Sequence, residues 1–188
     1  MDNAKHSNSD RFYIITGGPG SGKTSLIDTL RSQGFHCSTE AGRGIIQDQL
    51  SIDGPALPWR DPLLFAELML CWEMRSYHQA EQTAGPVFFD RGVPDVLGYL
   101  RLMNIPVSEN VHKAAGTFSY NRRVFIAPPW REIFCEDIER KQDFDEAKRT
   151  YEALASTYKD LHYELVELPR KGVQERCRFI LDHLGLAH

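Results

Sequence analysis

The chain has 188 residues, enough for one α/β domain and short for two. Apolar residues make up 41% and charged residues 26%, and the formal net charge of −4 gives no general attraction for nucleic acid or an anionic membrane. No apolar run approaches the roughly 18 residues that span a bilayer, and four scattered cysteines (Cys37, Cys71, Cys135, Cys177) without a C-x-x-C pair predict a reduced, cytoplasmic protein.

Residues 1–10, "MDNAKHSNSD", lack the apolar segment of a signal peptide and read as a disordered polar tail. A single domain is expected over residues 11–188. It opens with an apolar strand, Arg11–Thr16, which runs into "TGGPGSGKTS". Gly17 to Thr24 fit G-x-x-x-x-G-K-[ST], the loop that cradles phosphates with main-chain N–H groups at a helix N-terminus. Gly17, Gly18, Pro19, Gly20, Ser21, Gly22, Lys23, Thr24 and Ser25 are therefore the candidate nucleotide site. Lys23 supplies a point charge for the β- and γ-phosphates, and the Thr24 hydroxyl a ligand for Mg²⁺. The spacing predicts a bound ATP or GTP with Mg²⁺, without saying where the γ-phosphate goes. The seven histidines are dispersed, so no metal site built from protein ligands alone is expected.

The helix that begins in the loop is expected to reach about Gln33 and to stop at Gly34. A short second strand, Phe35–Thr39, follows, with Glu40 at its end and a helix over about Ala41–Ser51. In an open parallel sheet, ligands sit outside the carboxyl ends of the strands. There Glu40 can act as general base for an acceptor hydroxyl, and Arg43 can bind an anionic acceptor. The alternative is that Glu40 merely favours the helix dipole, with Arg43 as its exposed partner.

After a Pro- and Gly-rich loop, Asp61 and Pro62 predict the cap and first position of a long helix to about Thr83. Its stripe of Leu64, Leu68, Cys71 and Arg75 is a candidate partner surface, although such residues are more often core. The third strand, Pro86–Asp90, is apolar nearly throughout, as in a parallel sheet covered on both faces. It ends in Asp90, shaped as a Walker B aspartate for the Mg²⁺ shell. Arg91 is a candidate phosphate or acceptor contact, or else a salt-bridge partner of Asp95 or Glu40.

Helices near Pro94–Met103 and Ser108–Phe118 precede a fourth strand, Arg122–Ala127. The charged segment of about 128–144 is lid-like, with Arg131, Arg140 and Lys141 as cations that can reach a transferring phosphoryl; Arg140 is the preferred one. A helix over about Asp145–Leu161, a fifth strand Tyr163–Leu168 and a helix over about Val173–Leu184 complete the chain. Pro169 and Arg170, after the fifth strand, are candidates for stacking on a nucleobase. Strand–helix alternation behind a phosphate loop predicts a three-layer α/β/α domain with a parallel sheet.

The combination of "TGGPGSGKTS", "TEAGRGII", "FFDRGVPDVLGYL" and "APPWREIF" with "ERKQDFDEA" resembles the AAA-type ATPase family that includes the nicotinamide-riboside-kinase-like domain of NadR proteins. The resemblance implies a five-stranded sheet of order 2-3-1-4-5, ATP or GTP with Mg²⁺ in the loop, and an acceptor near Glu40, Arg43 and Arg91. It departs in one respect: the chain is expected to lack the adenylyltransferase domain that accompanies the kinase in NadR proteins.

The leading expectation is a kinase that transfers the γ-phosphate to a small-molecule acceptor such as a nucleoside or nucleotide. A nucleotide-dependent switch with a protein or lipid partner, and a simple NTPase acting on water, remain open beside it.

Overall fold

In the computed structural model of the protein, residues 10–134 and 143–186 are described. The tail expected over residues 1–10 falls outside them except for Asp10.

Five strands form one sheet in the order β2-β3-β1-β4-β5, and every pairing is parallel. The strands are β1 (Phe12–Gly17), β2 (His36–Cys37), β3 (Val87–Asp90), β4 (Arg123–Ala127) and β5 (Glu164–Glu167). Between and after them run α1 (Lys23–Ser32), α2 (Ala41–Ser51), α3 (Pro62–Glu81), α4 (Val93–Leu102), α5 (Glu109–Thr117), α6 (Phe144–Asp160) and α7 (Val173–Leu184). Among the described residues no helix is long and apolar enough to cross a membrane.

The alternation of side chains along a strand explains the three layers. Phe12, Ile14, Val87 and Phe89 point to one face and pack against Leu70 and Tyr77 of α3, Leu97 and Leu100 of α4, and Tyr158 of α6. Ile15, Phe88 and Phe125 point to the other face and meet Leu26 and Leu30 of α1 with Cys177 and Ile180 of α7. The central strands are apolar at nearly every position because both faces are covered. A third cluster lies off the sheet, where Ile45 and Ile46 of α2 pack on Leu57 and Phe65.

Helix boundaries follow local chemistry. The Asp61 side chain accepts a hydrogen bond from Leu64 N at 2.9 Å, and Pro62 takes the first helical position, as its lack of an N–H allows. Gly34, at φ 91°, ends the run after α1. The second strand is shorter than its apolar run suggests: two residues rather than the expected Phe35–Thr39. As an edge strand it pairs only with β3. At Ser38 the ladder passes to a side chain: Ser38 N still donates to Phe88 O at 2.9 Å, but Asp90 N donates to Ser38 Oγ at 3.0 Å.

Register sets the site. Ile15 lies opposite both Asp90 and Phe125, so the carboxyl ends of β1, β3 and β4 finish together. From β1 the chain crosses to one side of the sheet, and from β3 to the other. The crevice belonging to that switch opens above β1 and β3.

Candidate active site

The phosphate loop is shaped by what side chains would forbid. Gly17 has φ 132°, and a Cβ there would come within 2.4 Å of Ala127 O on β4. Only glycine lets β1 turn this close to its neighbour. The Lys23 ammonium, buried at the start of α1, donates to Gly18 O at 2.7 Å and to Ser21 Oγ at 3.2 Å. Ser21 Oγ donates to the same Gly18 carbonyl at 2.7 Å. The cation is thus held over the loop, and Thr24 and Ser25 are exposed at the head of the helix.

Facing the loop, four carboxyl groups surround one guanidinium. Arg91 Nε lies 3.5 Å from Glu40 Oε1, and Arg91 Nη1 donates to Asp95 Oδ1 at 3.2 Å. Burial alone would lower the Arg91 pKa, but Glu40, Asp95 and Asp90 outweigh it and keep the residue firmly charged. Arg91 sits at φ 75°, a left-handed conformation that β3 imposes on a non-glycine residue. Its N–H still donates to Ile15 O at 3.1 Å, so the strained backbone stays fastened to β1. Strain of this kind collects where a side chain must be aimed.

Asp95 anchors the group. It accepts from Thr16 Oγ1 at 2.5 Å, from Gly92 N at 3.1 Å, from Arg91 and from the Tyr158 hydroxyl of α6. These contacts fix the start of α4 and hold Arg91. Asp90 is different: it is 4% exposed and its Oδ1 has no hydrogen-bond partner among the described residues. Burial, then the nearby Glu40, push its pKa up to about 6 against the opposing pull of Lys23 and Arg91. Glu73 of α3 is 2% exposed, with Oε2 also unpartnered. Burial first, then Asp95 and Asp90, drive its pKa well above the usual carboxylate range.

The donors present fit a Mg²⁺ ion held jointly with phosphate oxygens. Thr24 offers an exposed hydroxyl, and Asp90 a buried oxygen with no partner among the described residues. Among those residues no group of three or more His, Cys, Asp and Glu side chains is arranged to hold a metal.

Beside the loop lies a cavity of about 310 Å³. Pro19 of the loop, Glu40, Arg91 and Asp95 line it together with Glu146 and Thr150 of α6, and Trp59, Phe65 and Tyr99 give it aromatic walls. The Tyr99 hydroxyl is buried without a partner, and burial, with Glu146 nearby, raises its pKa beyond the range in which it would ionise. A larger groove of about 690 Å³ runs outside β2, but no loop residue lines it, nor do Glu40, Asp90 or Arg91. The stripe of Leu68, Cys71 and Arg75 lines that groove, whereas Leu64 does not.

Several expected residues therefore converge: the loop, Glu40, Asp90 and Arg91. Arg43 does not line the cavity. Gly42 and Ile46 hold that face of α2, and Arg43 is turned about 100° from Gly42. Arg170, exposed after β5, donates from Nε to Pro129 O at 3.3 Å, tying the loops that follow β4 and β5, and Pro169 beside it is half-buried. Arg140 and Lys141 lie outside the described residues, while Arg131 stacks 5.0 Å from the Phe144 ring centroid.

Sequence reasoning missed Glu73, yet a signal was present. Ala66, Leu70, Tyr77 and Ala80 are buried at helical spacing, and Glu73 occupies a core position in the same series. The aromatic walls left no comparable trace, because loop, α3 and α4 meet only in the folded chain.

Among solved structures, the chain is similar to NadR protein in complex with NR at 17% identity and a TM-score of 0.69, covering 95% of this chain and 53% of that one. It spans about half the length of that NadR chain. It is also similar to thymidylate kinase from Ehrlichia chaffeensis (14% identity, TM-score 0.64, 92% and 97% covered) and to deoxyadenosine kinase from M. mycoides with bound dATP (14%, 0.57, 93% and 99%). These likenesses show the fold. In sequence, no curated protein matches the chain. The model of a family described as an AAA domain matches residues 12–176, nearly the whole of the fold just described, and the chain belongs to that family.

Proposed function

We propose that the protein is a Mg²⁺-dependent kinase that transfers the γ-phosphate of ATP or GTP to an uncharged or cationic small molecule bearing a planar ring, with a nucleoside as the best fit. One observation carries this reading: a cavity with aromatic side chains in its walls is lined also by Pro19 of the phosphate loop, Glu40 and Arg91. Flat aromatic walls suit a planar ring. The acidic groups at the cavity, Glu40, Asp95 and Glu146, outnumber the single guanidinium of Arg91, which two of them already neutralise. A phosphate on the acceptor would meet excess negative charge here. The three neighbours reported above are a NadR protein bound to NR, a deoxyadenosine kinase and a thymidylate kinase, which supports phosphotransfer to a nucleoside or nucleotide, the finer choice resting on the charge of the cavity.

In the proposed step the acceptor hydroxyl gives its proton to the Glu40 carboxylate as its oxygen bonds to the γ-phosphorus. The bond from that phosphorus to the β,γ-bridging oxygen breaks, and the nucleoside diphosphate leaves with the electron pair. Lys23 and Arg91 supply positive charge near the transferring group. Mg²⁺, when bound through Thr24 and Asp90, would neutralise phosphate charge.

Calorimetry with a non-hydrolysable ATP analogue present tests the acceptor class. Uncharged nucleosides should bind at least about tenfold more tightly than their 5′-monophosphates, a difference of about 1.4 kcal/mol. The reverse preference would sink the reading of the cavity.

A further inference from the structure

Arg176 is remote in sequence from the phosphate loop, but not in space. It lies in the first turn of α7, is 3% exposed, and donates from Nη1 to the Ser21 carbonyl of the phosphate loop at 2.9 Å. Its Nε has no partner, and among the described residues it forms no ion pair. A buried guanidinium without a carboxylate is costly to the folded chain, since burial disfavours the charged form. Among the described residues no anion offsets it.

The contact has a stereochemical consequence. In a planar trans peptide the C=O and the next N–H point in opposite directions. Arg176 draws the Ser21 oxygen toward α7, so the Gly22 N–H is turned the other way. Gly22 has φ 77°, so this peptide sits where backbone rotation is least hindered by a side chain. A Cβ on Gly22 would stand 2.9 Å from Arg176 Nη1, which shows how closely the guanidinium is set against the loop.

We propose that Arg176 is a positioning residue of the phosphate cradle: it holds the Ser21 carbonyl, orients the Gly22 N–H toward bound phosphate, and has its own charge balanced by that phosphate. The inference rests on the reading of the loop as a triphosphate site. It implies that one side chain burdens the free protein and favours the bound one.

The test pairs Arg176→Met with Arg176→Lys and measures two quantities: the melting temperature without nucleotide, and the Kd for Mg-ATP. Arg176→Met should leave the nucleotide-free melting temperature unchanged or higher and weaken Mg-ATP binding by about tenfold or more, as for a lost hydrogen bond to a charged group. The Gly22 amide NMR shift induced by ATP should shrink in the same variant. Arg176→Lys, which keeps the charge and one donor, should recover part of both. A methionine variant that loses stability, or fails to fold, while Arg176→Lys binds Mg-ATP like the wild type would mark a purely structural anchor and overturn the proposal. Wild-type protein that binds no nucleotide would instead overturn the reading of the loop itself.

Discussion

Asp90→Asn is expected to raise the melting temperature of the nucleotide-free protein at pH 7 and to remove nearly all Mg²⁺-dependent phosphate transfer. The two effects have one cause. Asp90 is held at the end of β3 with its Oδ1 unpartnered and its pKa raised from 3.8 to about 6. The sign follows from which state releases its proton first. Below about pH 4 the carboxyl is protonated folded and unfolded, and no penalty arises. Between about pH 4 and pH 6 the unfolded chain ionises first, so stability is lost as the pH rises through that window. Above it the full penalty remains, about 3 kcal/mol for a shift of this size. At about 2–4 °C per kcal/mol for a chain of this length, the asparagine variant should melt several degrees higher at pH 7. The gap from wild type should close on descending to pH 4. Transfer should fall by about 10²–10³-fold, the size of effect that follows removal of one group stabilising transition-state charge. A variant that melts lower than wild type at pH 7 would show that the burial of Asp90 is not a burden carried for function.

Glu40→Gln should lower acceptor-dependent transfer by about 10²–10⁴-fold, the range for a lost general base, and leave the affinity for Mg-ATP unchanged. Glutamine keeps the size of the side chain and its place at the cap of α2, so the cavity should keep its form. The loss should appear in kcat with little change in KM for the acceptor. A second consequence is specific to this cluster. Glu40 is among the groups that raise the Asp90 pKa, so its neutralisation should move the Asp90 stability step to lower pH. Undiminished transfer would reduce Glu40 to the N-terminal residue of its helix.

Much of this arrangement could be read from the chain because local chemistry dictates it. Gly17 and Gly22 stand where positive φ or close approach excludes other residues. Val87–Phe89 is apolar throughout because both faces of β3 are covered, and Asp90 is the first polar residue beyond them. Asp61–Pro62 marks the start of α3 by capping and a missing N–H. What could not be read depends on rotation and distance. Arg43 and Gly42 differ by one residue on α2, yet Gly42 lines the cavity. Glu73 sits 17 residues before Asp90 and comes near it only because α3 packs on the face of the sheet that carries Val87 and Phe89. Arg91 is at once the cation of the site and the partner of both Glu40 and Asp95, roles that the sequence posed as alternatives.

Transfer of the γ-phosphate to a small molecule in the aromatic cavity can be followed directly. Incubation of the protein with Mg-ATP labelled at the γ-position, with and without uncharged nucleosides, tests it directly. Label is expected in a phosphorylated nucleoside, with turnover that rises with nucleoside concentration. Label found only in inorganic phosphate, at a rate indifferent to every nucleoside added, would contradict that expectation.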